Sequence, residues 1–216
     1  MQRVSAWVFF TWLAVAGVVL LGSWLRVTIA TGELLWLDEL HTGWVVAGGI
    51  TDVFGRSVSG NQSPLFFVLT WGVTQLFGSA EWTLRLVSLV AGVGVMVAAG
   101  AVVFKGTRSV VAVLLTVSLI AIDDGFLWYS TEARPYSLLH LISLIQVLCV
   151  WRLFEKMFWC GDGDGRQQWI DWSVVGWSLV LVYVHYTAIL LLVGQAIVWL
   201  VAWAVCWFRM PPIGSK

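Results

Sequence analysis

An all-α, polytopic integral membrane protein is the fold class this sequence predicts, and three observations carry it. Of 216 residues, 60% are apolar and 11% charged, where a soluble domain carries about 45–50% and about 25%. Mean hydropathy is +0.89, which also excludes disorder, since disorder needs low hydrophobicity and high charge. Sixteen tryptophans are far above ordinary usage and suit a chain solvated by lipid.

About six spanning helices are expected, each a run of about 20 apolar residues, the length that crosses about 30 Å of hydrocarbon. The first is 7–25, behind Arg3. It is too long for a signal-peptide core and lacks a clean small-x-small cleavage site, so it reads as a retained helix. Residues 26–81 then form an external loop with interfacial helices. Asp38 to Ala47 is a short amphipathic stretch with Leu40, Trp44 and Ala47 at helical spacing. Pro64 to Gly78 is apolar but only about 14 residues long, which suits a helix lying on the membrane. Pro64 fits its first turn and Gly78 its stop. Further spans follow at 82–104, 109–128, 136–154, 172–183 and 187–208, the last two meeting in a tight external turn at His185-Tyr186. The run Gly161-Asp162-Gly163-Asp164-Gly165 is a solvated loop that lacks the bidentate Glu of a calcium loop. Residues 1–208 make one membrane domain, and 209–216 a short cytoplasmic tail.

Charge sets the orientation. Six spans place Arg3, Lys105, Arg108, Arg152, Lys156, Arg166, Arg209 and Lys216 on one side, and Arg26, Arg56, Arg85 and Arg134 on the other. The richer side is cytoplasmic by the positive-inside rule, so both termini are inside. Twelve basic and twelve acidic residues cancel, leaving no field to attract nucleic acid. Cys149, Cys160 and Cys206 are scattered, without a CxxC pair; they support neither a disulfide framework nor a zinc site.

This topology collects the chemically capable residues on the external face. Asp38, Glu39, His41, Glu132, Arg134, Tyr136, His185 and Tyr186 come from distant segments, all at external helix ends or loops. Polar groups at membrane depth are costly and usually line a cavity. Asp38 and Glu39 open a helix, where acids suit the dipole and Asp serves as an N-cap; either is equally a general base or a divalent-cation ligand. Being adjacent, they diverge by about 100° around a helix and do not share one job. In Glu132-Ala133-Arg134-Pro135-Tyr136, Pro135 starts a helix that Glu132 or Thr131 can cap. Arg134 either snorkels to headgroups or holds a phosphate. His185 makes a helix–helix hydrogen bond or completes a site. Asp123 and Asp124 sit near the outer end of the third span. Asn61-Gln62-Ser63 matches a glycosylation sequon only formally, with Pro64 behind it.

Three blocks, in order, carry a resemblance: Trp36-Leu37-Asp38-Glu39; Ser63-Pro64-Leu65-Phe66-Phe67 through Phe77-Gly78-Ser79-Ala80-Glu81-Trp82-Thr83-Leu84-Arg85-Leu86; and Tyr129-Ser130-Thr131-Glu132-Ala133-Arg134-Pro135-Tyr136. Val184-His185-Tyr186 is a weaker fourth. Over residues 1–205 the chain resembles the GT-C glycosyltransferases. More narrowly it resembles the dolichyl-phosphate-mannose-protein mannosyltransferase-like group, with the rhizobial lipopolysaccharide glycosyltransferases and the aminoarabinose transferase. It departs from that pattern at Ser63, where the group has a first proline, and at Thr131, where glutamine is common.

The resemblance implies a multi-pass enzyme of the cell membrane, in a bacterial setting the inner membrane. It would take a sugar from a polyprenyl-phosphate-linked donor and pass it, with inversion, to a glycan, lipid or protein hydroxyl at the outer face. Asp38 would be the catalytic base. Glu39 would position the acceptor or bind a cation. Glu132, Arg134, Tyr136 and His185 would surround the sugar phosphate, with Arg134 beside the leaving group. Mg²⁺ or Mn²⁺ would find oxygen ligands in Asp38, Glu39 and Glu132. Family enzymes run to several hundred residues, so the resemblance implies either a fragment or short member, or a chain that needs a second subunit to complete the fold. The competing reading is a non-catalytic, truncated membrane subunit or lipid-binding protein. A small transporter fits less well, because the mid-span regions are almost free of charge.

Overall fold

The computed structural model describes the backbone of residues 6–158 and 171–209, with side chains up to 155 and over 171–204. Arg3, the Lys156 side chain, Cys160, residues 161–165, Arg166, the Cys206 and Arg209 side chains, and residues 210–216 lie outside the described residues. Every regular element within them is helical.

Helix α1 (Ala6–Gly32) runs 27 residues and outlasts the expected span by more than a turn. Arg26 is therefore not a loop cation. It lies within α1 at 1% exposure, and its guanidinium donates to the carbonyls of Gly22 (3.1 Å), Ile120 (3.0 Å) and Ala121 (3.3 Å).

Helix α2 (Leu37–Val46) occupies the expected amphipathic stretch. Its N-cap is Trp36 rather than an Asp, with the Trp36 N–H donating 3.3 Å to Glu39 Oε2. Its faces are inverted relative to a soluble helix: Leu37, Leu40 and Trp44 point outward, while Glu39, Thr42, Val45 and Val46 are buried. An apolar environment solvates the outward stripe, so the polar side chains turn inward to find partners. Helices α3 (Ile50–Ser59) and α4 (Leu65–Phe77) follow. Helix α4 is short, as predicted, and ends at Gly78, whose φ of 81° suits a residue without a Cβ.

Helix α5 (Glu81–Thr107) is the hub, packing against α1 and α4 and against three later helices, α6 (Val110–Ile122), α7 (Asp124–Thr131) and α8 (Tyr136–Phe158). Gly92 permits its approach to α7, because a Cβ there would overlap Ser130. Small residues let helices come close where no hydrophobic force between them is available. The expected third span is not continuous. Helices α6 and α7 meet at a 61° bend at Asp123, whose carboxylate accepts from the Phe126 N–H (3.0 Å) and so starts a new helix. The last carbonyls of α6 thereby lose their helical donors, and Arg26 supplies replacements.

Helix α9 (Trp172–Val184) and helix α10 (Ala188–Arg209) are joined by the tight turn at His185-Tyr186. Gln146 on α8 and Gln195 on α10 exchange side-chain hydrogen bonds (2.7 and 2.5 Å), and Gln146 also reaches Ser178 on α9 (3.3 Å). Gln146 is fully buried, so this amide pair ties the last two helices to the bundle.

Helices α1, α5 and α8 are each long and apolar enough to cross a membrane, and α6 with α7 makes a fourth if the bent pair counts as one span. This is consistent with a multi-pass membrane protein. Helices α4 and α9 and the stretch Ala188–Ala204 are shorter apolar helices; at 1.5 Å per residue α9 is only about 20 Å long. One apolar core, built on Val45, Phe66, Phe67, Leu84, Leu138 and Leu181, underlies the end of the bundle where α2, α4, α8 and α9 meet. A second, built on Val15, Met96, Val113 and Val117, joins α1, α5 and α6.

Candidate functional site

Three segments far apart in sequence meet at one end of the bundle: the start of α2, the 132–136 connection between α7 and α8, and the 184–187 turn between α9 and α10. A buried ion pair positions the first two. Glu39 is fully buried, and Arg85, in the first turns of α5, is 2% exposed. Arg85 grips the carboxylate with two hydrogen bonds, Nε to Oε1 at 2.7 Å and Nη2 to Oε2 at 2.6 Å. Its remaining N–H groups serve the carbonyls of Ala30, Glu33 (2.8 Å) and Leu34 (3.2 Å) at the end of α1. Glu39 Oε1 also accepts from the Ala133 N–H (2.8 Å). The Thr42 hydroxyl donates to the Ala133 carbonyl (2.8 Å), and the Ser88 hydroxyl to the Arg134 carbonyl (2.8 Å). Helices α2 and α5 thus clamp the 132–136 connection.

This geometry corrects several expectations. Arg85, counted among the external charges, is the counter-charge of a buried carboxylate. Glu39 has both oxygens occupied by Arg85, Ala133 and Trp36, which leaves nothing to offer an acceptor or a cation. Asp38, Glu39 and Glu132 therefore do not form a site for Mg²⁺ or Mn²⁺; among the described residues no group of three His, Cys, Asp or Glu side chains is arranged to hold a metal. Nor does Glu132 or Thr131 cap α8. The Thr131 hydroxyl donates back to Leu127 and Trp128, and Glu132 ends α7.

Asp38 stands about a quarter-turn from Glu39 and behaves differently, as adjacent helical residues must. Its side chain is 45% exposed, and its Oδ2 lies 3.7 Å from Arg134 Nη2. Arg134 is 9% exposed overall, and its Nε is buried without a hydrogen-bond partner. Leaving such a donor unpaired costs about 1–3 kcal/mol or more for a charged group; Arg26 Nε, in the scaffold, is in the same state. The guanidinium carbon sits 5.8 Å from the centre of the Tyr136 ring, within cation–π range.

Glu132 is 6% exposed. Burial, and then the nearby Glu39 carboxylate, push its carboxyl up to about 7, against a smaller pull from Arg134. His185 is held below its ordinary value, first by burial and then by Arg134, so the ring is neutral near pH 7. Its Nδ1 lies 2.8 Å from the Thr187 hydroxyl and 3.3 Å from the Thr187 N–H. Tyr136 and His185 lie ring to ring at 5.9 Å, and His185 stacks on Tyr186 at 4.8 Å.

Arg134, Tyr136 and His185 line a cavity of about 350 Å³, at the small end of the usual range for ligand sites. Asp38 and Glu132 are not among the lining residues; Asp38 is linked to the cavity through its 3.7 Å contact with Arg134. The remaining wall is the loop Gly60-Asn61-Gln62-Ser63, which sequence reasoning took only as a formal sequon. Its position immediately ahead of Pro64 in the second motif block was the available signal. Asp123 and Asp124 are not among the lining residues; Asp123 caps α7. His41 packs against Trp44 and Phe67 instead. No family model, curated protein or solved structure matches the chain.

Proposed function

We propose that this protein is a membrane glycosyltransferase that moves a sugar from a polyprenyl-phosphate donor to an acceptor hydroxyl at the external membrane face, with Asp38 as base. One observation carries the reading: a half-exposed carboxylate stands 3.7 Å from a buried arginine that lines a cavity of about 350 Å³. Inverting transfer needs those two groups. The acceptor oxygen attacks the anomeric carbon as the carbon–oxygen bond to phosphate breaks. The acceptor proton goes to Asp38, and the bonding pair leaves with the phosphate, whose charge Arg134 stabilises. The leaving phosphate needs little protonation, so no separate acid is required, and no metal is invoked.

The same reading places six crossings in a bacterial inner membrane, with both termini cytoplasmic. In support, Arg26 and Arg85 are buried within helices and drop out of the external charge count. Arg56 and Arg134 remain there, against Lys105, Arg108 and Arg152 at the opposite helix ends, an asymmetry of the positive-inside kind. Helix α9, at about 20 Å, crosses with local bilayer thinning.

The test is Asp38→Asn in membranes supplied with labelled polyprenyl-phosphate sugars. Transfer is expected to fall about 10²–10⁴-fold, with thermal unfolding unchanged. Undiminished transfer removes Asp38 as base. A wild-type chain that binds the lipid but transfers nothing is a lipid-binding subunit rather than an enzyme.

A further inference from the structure

The end of the bundle opposite the candidate site holds a second hollow, of about 570 Å³, between the last turn of α5 and the last three turns of α8. Its apolar wall includes Val147, Val150 and Phe154, and its polar rim is Lys105, Trp151 and Glu155. Lys105 lies about 30 Å along α5 from Arg85, a full thickness of hydrocarbon, and α5 and α8 are both long and apolar enough to span it. The rim therefore stands at headgroup depth. Val147 and Val150, two to three turns before the end of α8, lie on the hydrocarbon side of it.

The rim is organised around one carboxylate. Glu155 Oε2 pairs with Lys105 Nζ at 2.7 Å, and Glu155 Oε1 accepts from the Trp151 indole N–H at 2.8 Å. The Lys105 ammonium also stands 5.8 Å from the centre of the Trp151 ring, within cation–π range. This holds a long, flexible side chain at the mouth of the hollow with only 23% of it exposed. Arg108, which ends α5, is near enough that its charge acts on the same carboxylate. Two cations thus share one anion, which leaves one positive charge unmatched among the described residues of this rim. An indole beside it suits the interface between hydrocarbon and water. Basic pockets between spanning helices are where anionic lipid headgroups bind. A zwitterionic headgroup would bring its own cation to a rim already in excess of positive charge. A lipid whose only charge is its phosphate matches the excess, and the apolar wall accepts its chain.

We propose that this hollow binds an anionic phospholipid, with its phosphate on Lys105 and Arg108 and an acyl chain running along Val147 and Val150. The inference stands apart from sugar transfer, since none of these residues belongs to the candidate site. Glu155 sets the strength of the interaction by competing with the phosphate for Lys105.

Native mass spectrometry of the full chain, released from nanodiscs of equimolar phosphatidylglycerol and phosphatidylcholine, tests it. Wild type is expected to retain phosphatidylglycerol over phosphatidylcholine by about 5-fold, the worth of one net basic residue beside an anionic lipid. Lys105→Gln should bring the ratio to parity. Glu155→Gln removes the competing carboxylate and should raise the ratio by about a further 5-fold; it serves if Lys105→Gln does not fold, because a purely structural ion pair predicts no gain. Arg56→Gln, at the other end of the bundle, should leave the wild-type ratio in place. Three results overturn the assignment: a wild-type chain with no preference, a Glu155→Gln chain that gains none, or an Arg56→Gln chain that loses as much as Lys105→Gln. A second copy, or another stretch of the same chain, filling the hollow would give the first of these.

Discussion

Removing both partners of the Glu39–Arg85 pair is expected to destabilise the protein by less than the sum of the two single removals. Arg85→Met leaves a carboxylate at 0% exposure with only the Ala133 and Trp36 N–H groups for company. It also strips donors from the Ala30, Glu33 and Leu34 carbonyls. Breaking a buried pair in this way costs about 3–5 kcal/mol, and the stranded carbonyls put the expected value at the upper end. Glu39→Gln keeps the shape and the acceptor oxygen but weakens charge-assisted hydrogen bonds, for about 2 kcal/mol. In the double variant the amide still accepts from Ala133 and no naked charge is buried. Its cost should fall short of the sum by about 2 kcal/mol. Equilibrium unfolding in mixed micelles, followed by tryptophan fluorescence, measures the cycle. Costs that add to within about 0.5 kcal/mol would refute the pairing, and with it the account of what holds the 132–136 connection. Because Ala133 and Arg134 hang on this pair, the single variants should also lose transfer activity without any contact to substrate.

Two further outcomes follow from the buried polar groups. Glu132, at about 7 in the fold against an ordinary value near 4.5, binds its proton more tightly folded than unfolded. Its protonated form therefore favours the fold most below about pH 4.5, and that stabilisation is lost as pH rises through about 7. Glu132→Gln should remove this pH dependence and raise stability at pH 8 by up to about 3 kcal/mol, with little effect at pH 4.5; melting curves at the two pH values check it, and an equal shift at both contradicts the assignment. Gln146→Leu should cost about 0.6–1.7 kcal/mol, the range for interhelical hydrogen bonds in membranes. It should also speed proteolysis in the α9–α10 region; unchanged cleavage there would separate α10 from the amide pair.

The sequence by itself determined the all-helical, membrane-type class of fold. Run length and hydropathy follow directly from the thickness of hydrocarbon, so α1, α5 and α8 were legible without coordinates, as were the stop at Gly78 and the turn at His185-Tyr186. The polar candidates at the helix ends were legible as a group for the same reason. What only tertiary structure decided was which polar residue answers which. Asp38 and Glu39 are neighbours in sequence with the same chemistry. A rotation of about 100° around α2 sends one to the edge of a cavity and the other into a sealed contact with Arg85, 46 positions away. Neither the bend at Asp123 nor the burial of Arg26 was readable locally, because the carbonyls that need Arg26 lie more than ninety residues further on.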